Sequence, residues 1–189
     1  MINDNKPQIL EVNAMSNLSS DIKDVERCIV EYKTQLEQGD IQKAYYYLLR
    51  YVMHLKIQLS SDLSYRFSFG NVSPGYMDFT YFPFFNTFLR DRKLRLGVVL
   101  NHQDLRFELW LMGQNAAIQK DYWNLLRNSQ WNANRLTMPK YSVLETILVE
   151  SPDFTKADEL TARINEEVSR VSETIIDAIR VLEGQDRSC

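Results

Sequence analysis

The sequence predicts an α+β fold in two layers: an antiparallel sheet of four to five strands, covered on one face by an N-terminal helical hairpin and a long C-terminal helix. Three observations carry this. Apolar residues recur at helical spacing at both ends of the chain, from Ile22 to Leu59 and from Leu160 to Leu182. Between them the period drops to two: Leu94, Leu96, Val98 and Leu100 alternate with other residues, and so do Leu105, Phe107, Leu109 and Leu111. The blocks run helices first, then a strand meander, a helix, a strand and a last helix, which is not the regular alternation of an α/β fold.

Residues 1–19 are polar and read as an N-terminal arm, leaving residues 20–184 as a single domain. Ser20 suits the cap of a first helix, with Asp21 and Asp24 at the positive end of its dipole. Ile22, Val25, Ile29, Tyr32 and Leu36 share one face of that helix. Gly39-Asp40 then makes a tight turn into a second helix with Ile41, Ala44, Tyr45, Leu48, Val52, Leu55 and Leu59 on one side. The two stripes predict mutual packing, and Cys28 is expected to be buried.

Tyr65 to Phe69 alternates and stops at Gly70-Asn71, and Pro74-Gly75 marks a turn. Tyr76 to Phe82 reads as a strand that halts near Pro83. Phe84, Phe85, Phe88 and Leu89 form a compact apolar turn. Lys93 to Leu100 and Leu105 to Leu111 form a hairpin, with His102 on its exposed tip. Gly113-Gln114-Asn115 opens a helix that reaches about Ser129. Residues 141–149 hold Val143, Thr146, Ile147 and Val149 and are assigned to a strand by their branching. Thr155 and Asp158 suit a capping box for the last helix, and Gly184 is expected to stop it.

The wording of EYKTQLEQGDIQKAYYYLLRYV, GYMDFTYFPF, LRFELWLMGQNAAIQKDYW and LVESPDF resembles a family of uncharacterised bacterial proteins, a domain of unknown function. The resemblance covers roughly residues 26–182. It implies one domain and no established active site.

Composition narrows the function. A hydrophobic fraction of 44% beside 25% charged residues is the balance of a folded globular chain. A net charge of -3 lacks the basic surplus that displaces counterions from phosphates, so no nucleic acid partner is expected. No apolar run approaches the roughly 18 residues of a membrane span, and the N-terminus has no signal-peptide pattern. Two cysteines make neither a disulfide framework nor a zinc site, and they point to a cytoplasmic location. GxxxxGK[ST], GxGxxG and HExxH are missing, so no cofactor or metal is expected. Arg90-Asp91-Arg92-Lys93-Leu94-Arg95 reads as a solvated turn, with phosphate binding as the sharper alternative.

Chemistry is hinted at in one place. Tyr76, Asp78, Arg95, Arg106, Glu108 and Trp110 lie on strand segments at positions opposite the apolar face. If register aligns them, they form a charged cluster edged by aromatic rings, and these six are the candidate ligand-binding residues. Three functions stay open. The leading one is a cytoplasmic binding or interaction protein without catalytic machinery, with a protein partner or self-association through the C-terminal helix. Another is a metal-dependent hydrolase or other enzyme using Asp78 and Glu108 as paired carboxylates. The third is small-molecule binding in an aromatic-lined pocket under Phe82, Phe84, Phe85 and Phe88. Trp131, in a polar loop, reads as an indole folded over the core edge or as a partner anchor.

Overall fold

A computed structural model describes residues 8–186. The chain divides into two compact units, Met1–Tyr47 and Leu48–Cys189. Residues 1–7 of the expected arm and Cys189 lie outside the described residues.

The first unit holds α1 (Gln8–Gln38) and the opening turns of α2 (Asp40–Asp62). Helix α1 begins at Gln8, so Ser20 lies within it and does not cap it. Gly39 joins the helices with φ +79°. The Gln42 side-chain amide donates to the Leu36 carbonyl at 3.2 Å across the joint. The expected burial of the α1 stripe is not found. Ile22, Val25, Ile29 and Tyr32 are between 53% and 64% exposed. Cys28 is likewise exposed rather than buried, because every residue from Asp24 to Thr34 is exposed.

In the second unit, five strands follow one another across an antiparallel sheet in sequence order. They are β1 (Ser68–Phe69), β2 (Phe79–Phe85), β3 (Leu94–Asn101), β4 (Arg106–Gly113) and β5 (Leu144–Val149). Two helices intervene: α3 (Thr87–Asp91), between β2 and β3, and α4 (Ala116–Leu126), between β4 and β5. Helix α5 (Ala157–Asp186) closes the chain. Strand β2 starts at Phe79 and runs through Pro83, where a stop was expected. The Pro83 carbonyl accepts from the Gly70 amide at 2.8 Å, so its missing N–H falls on the side of the two-residue edge strand β1. The loss there is small.

The inner sheet face carries Phe82, Phe84, Leu96, Val98, Leu100, Phe107, Leu109 and Leu111, all at most 1% exposed. They join one core with Tyr51, Val52, Leu55 and Leu59 of α2 and with Leu160, Ile164, Val168, Val171, Ile175 and Ile179 of α5. The apolar stripe of α5 is therefore buried in this core. Near Phe82, Phe67 packs edge-on against Phe84 at 5.1 Å, and Phe69 stacks on Phe84 at 5.3 Å. Trp131 packs against this core.

Two ends of α5 differ from expectation. Thr155 lies inside a short 3-10 turn, Phe154–Lys156, that leads into α5; Asp153 caps this turn, accepting from the Thr155 amide at 3.0 Å and hydroxyl at 2.6 Å. Gly184 lies within the helix. Near that end, Arg92 just after α3 grips Glu183 through three charge-assisted contacts of 3.0, 2.9 and 2.7 Å. Its guanidinium lies 3.7 Å from the Phe88 ring centroid, and Arg180 lies 4.8 Å from the same centroid. The Tyr122 hydroxyl of α4 donates to Glu183 at 2.7 Å. Burial, with the Glu183 carboxylate beside it, pushes the Tyr122 phenol well above its ordinary range.

Candidate functional site: an aromatic cleft on the outer sheet face

The outer face of the sheet is not a simple polar face. Val99, Trp110 and Met112 are buried there and pack with Phe79 and Tyr81 as a second apolar cluster. Register explains the grouping. Val99 pairs with Tyr81 on one side and Glu108 on the other, Gly97 pairs with Trp110, and Arg95 pairs with Met112. A Cβ on Gly97 would lie 2.5 Å from the Met112 methyl, so the missing side chain is what lets Met112 lie across β3. Phe79 meets Trp110 edge-on at 4.8 Å, and Tyr141 meets Phe79 edge-on at 6.2 Å.

These rings wall a cleft of about 360 Å³, lined also by Ser73, Gly75, Tyr76, Asp78 and Arg95. Of the six residues expected from the sequence, Tyr76, Asp78, Arg95 and Trp110 reach it. Arg106 and Glu108 do not line it. Arg106 pairs with Asn101, six residues along β3 from Arg95, which places the two arginines roughly 20 Å apart at 3.3 Å per residue. The expected charged cluster is thus split into two groups.

The first group is structural in geometry. Glu108 is 3% exposed. Its Oε1 accepts from Arg106 Nε at 2.6 Å and Asn101 Nδ2 at 3.2 Å, and its Oε2 accepts from Trp110 Nε1 at 2.6 Å. Arg106 also pairs with Asp104 at 3.2 Å and Glu150 at 3.5 Å. Glu108 therefore holds the indole in place beneath the cleft.

The second group forms the cleft wall. Tyr76 and Asp78 sit in a turn ahead of β2, not in the strand. Gly75 (φ +68°) and Met77 (φ +65°) both adopt the left-handed region, and a Cβ on Gly75 would meet the Phe79 carbonyl oxygen at 2.2 Å. Asp78 Oδ1 accepts from the Tyr76 and Phe79 amides at 3.0 and 2.7 Å. Those amides hold its carboxyl below the usual carboxylate range. Tyr76 is 95% exposed. Past the turn, Thr80 is buried on the core side, and Phe79 and Tyr81 take the outer face.

His102 pins this wall and is half-buried, not the exposed tip residue expected. Its amide donates to the Asp78 carbonyl at 2.9 Å. Thr80 donates its single hydroxyl proton to the Pro74 carbonyl at 2.8 Å, so the 2.8 Å contact with His102 is accepted from Nε2–H. Burial pushes the imidazole below its ordinary pKa, partly opposed by the Asp78 charge. Among the described residues, no group of three or more His, Cys, Asp or Glu could hold a metal ion.

A family model described as a domain of unknown function, DUF7000, matches residues 25–179. The chain belongs to this family. No curated protein and no solved structure matches it. The DUF7000 match contains every residue that lines the cleft. Sequence reasoning missed Phe79, Tyr81, Met112 and Tyr141. For Phe79 and Tyr81 the available signal was the strand period, counted from Phe79 instead of Tyr76. Among the described residues, no helix is long and apolar enough to cross a membrane.

Proposed function

We propose that this protein is a cytoplasmic binding protein whose ligand site is the cleft on the outer sheet face. One observation carries the reading: a concave space of about 360 Å³ walled by aromatic rings, with a carboxylate at one wall and a guanidinium at another. Apolar walls with a few placed polar groups are the usual make-up of a small-molecule site. The cytoplasmic part rests on cysteine usage alone. The test is a thermal-shift screen of metabolites on the wild type and on a Tyr81→Ala/Asp78→Ala/Arg95→Ala variant. A ligand at 100 times its Kd adds about 2.7 kcal/mol. The expected result is a compound that stabilises the wild type and not the variant. Compounds that stabilise both equally, or none at all, overturn the reading.

Self-association is a second reading, favoured by α1. Ile22, Val25, Ile29 and Tyr32 recur at alternating spacings of three and four, the seam of a two-helix coiled coil, and all four are exposed. Glu26 and Lys33 flank that seam with opposite charge, which suits an antiparallel second copy of α1. Sedimentation equilibrium of the full chain is expected to give a dimer that Ile22→Glu/Ile29→Glu makes monomeric. A monomeric wild type at high micromolar concentration overturns it.

A further inference from the structure

Beside the aromatic cleft lies a second one of about 270 Å³, lined by Phe85, Arg90, Lys93, Leu94, Arg95 and Gln114. Arg95 borders both. The second cleft carries three cationic side chains and no carboxylate in its lining. Its neighbours along the chain spend their charge elsewhere: Arg92 is held by Glu183, whereas Arg90, Lys93 and Arg95 make no ion pair among the described residues. Backbone geometry brings the three together. Lys93 follows α3 in the left-handed region at φ +57°, its amide donates to the Arg90 carbonyl at 2.9 Å, and its carbonyl accepts from the Gln114 amide at 2.9 Å. Arg95 follows two residues on, at the start of β3.

We infer that the two clefts form one site for a planar organic anion: an aromatic small molecule bearing a phosphate or carboxylate. This rests on the binding reading above and names its ligand class. The flat body packs against Tyr81, Trp110 and Tyr141, and the anion sits among Arg90, Lys93 and Arg95. The scale fits. Val99, beside Tyr81, is four residues from Arg95 along β3, roughly 13 Å at 3.3 Å per residue, and an arginine side chain spans part of that distance. Met112 lies across Gly97 between Arg95 and Trp110 and lines the same cleft, giving the flat body an apolar surface on the way to Arg95. A cationic fork suits phosphate and carboxylate alike. Asp78 stands at the far wall with one oxygen not used by its turn, placed to accept from a donor on the flat body.

The test uses matched pairs that share one ring system and differ in charge: adenosine monophosphate against adenosine, and indole-3-acetate against indole-3-acetamide. Affinities are measured by titration calorimetry on the full chain, wild type and Arg95→Gln/Lys93→Gln, with circular dichroism to check folding of these surface variants. The expected result is at least tenfold tighter binding of the anion in one pair. That preference vanishes in the variant and weakens in high salt, while the neutral partner binds both proteins equally. The pair that shows it tells phosphate from carboxylate. If neutral and anionic members bind alike, the anion assignment falls while the aromatic cleft survives as a site. If no member of either pair binds, the assignment and its aromatic basis fall together. Binding of inorganic phosphate alone that is insensitive to Tyr81→Ala would also overturn the single-site reading.

Discussion

Trp110 hangs from Glu108 by a 2.6 Å bond between indole Nε1–H and Oε2, both residues lying on the same face of β4. The carboxylate is in turn held by Arg106 and Asn101. A charged residue buried in an apolar cluster is tolerated because its oxygens are matched by donors. The floor of the cleft is thus set by a polar contact inside an aromatic patch.

Removing that contact should be costly. Glu108→Ala leaves the indole N–H without its acceptor and Arg106 with only its more exposed partners. The expected loss is about 2–3 kcal/mol, read as a lower urea midpoint with a red-shifted tryptophan emission. Glu108→Gln keeps an acceptor and should lose less. Equal stability of wild type and Glu108→Ala would contradict the arrangement.

Gly97 tests the shape of the cleft. Gly97→Ala places a methyl 2.5 Å from the Met112 terminus, which must swing aside. Because that atom ends a flexible side chain, the expected cost is about 1 kcal/mol. Ligand affinity should fall further than stability, whereas a change in stability with affinity intact would place the ligand elsewhere.

The His102 imidazole is kept neutral by burial, so its folded pKa lies below the ordinary value of about 6.5. Between those two values the unfolded chain binds more protons than the folded one, so stability rises with pH. The contribution is fully present above about 6.5 and is lost as pH falls through the lowered folded value. Denaturation midpoints from pH 7 to pH 5 should therefore drop more steeply in the wild type than in His102→Gln. Parallel slopes would show that His102 is not the group responsible. Thr80→Val, which removes the hydroxyl between Pro74 and His102, should cost about 1–2 kcal/mol.

At the other end of the sheet, Glu183 joins Arg92, after α3, to Tyr122 of α4. Glu183→Ala should destabilise by about 2 kcal/mol, since it leaves a half-buried guanidinium and a phenol without their shared acceptor. Ultraviolet titration should find one tyrosine ionising well above the ordinary value of about 10, and Tyr122→Phe should abolish that late transition. A uniform tyrosine titration would contradict the contact.

Most elements were legible because their signals are local. The α5 stripe from Leu160 to Ile179 and the alternation in β3 and β4 are periodicities that burial imposes directly, and these positions are buried except Leu105, which lies in the turn before β4 and is 45% exposed. Trp110 and Arg95 were placed on the outer face for the same reason. Beyond Asp78 the strand does not keep that phase: past the turn with its left-handed Met77, Phe79 and Tyr81 take the outer face and Thr80 is buried on the core side. Nothing in the residue type of Met77 announces a positive φ.

The amino-acid sequence by itself determined the α+β class, the order of elements and which strand residues are apolar, since these follow from near-neighbour spacing and propensity. Only the tertiary structure decided which polar residues meet. Register set Arg95 against Met112 and Arg106 against Asn101, separating two arginines that alternation alone had grouped. Pairing between strands depends on turns and bulges distant in sequence, and a shift of one residue exchanges the faces. The same holds for the cleft: Tyr141, Phe79 and Trp110 come from three separate segments and are neighbours only once the sheet has formed.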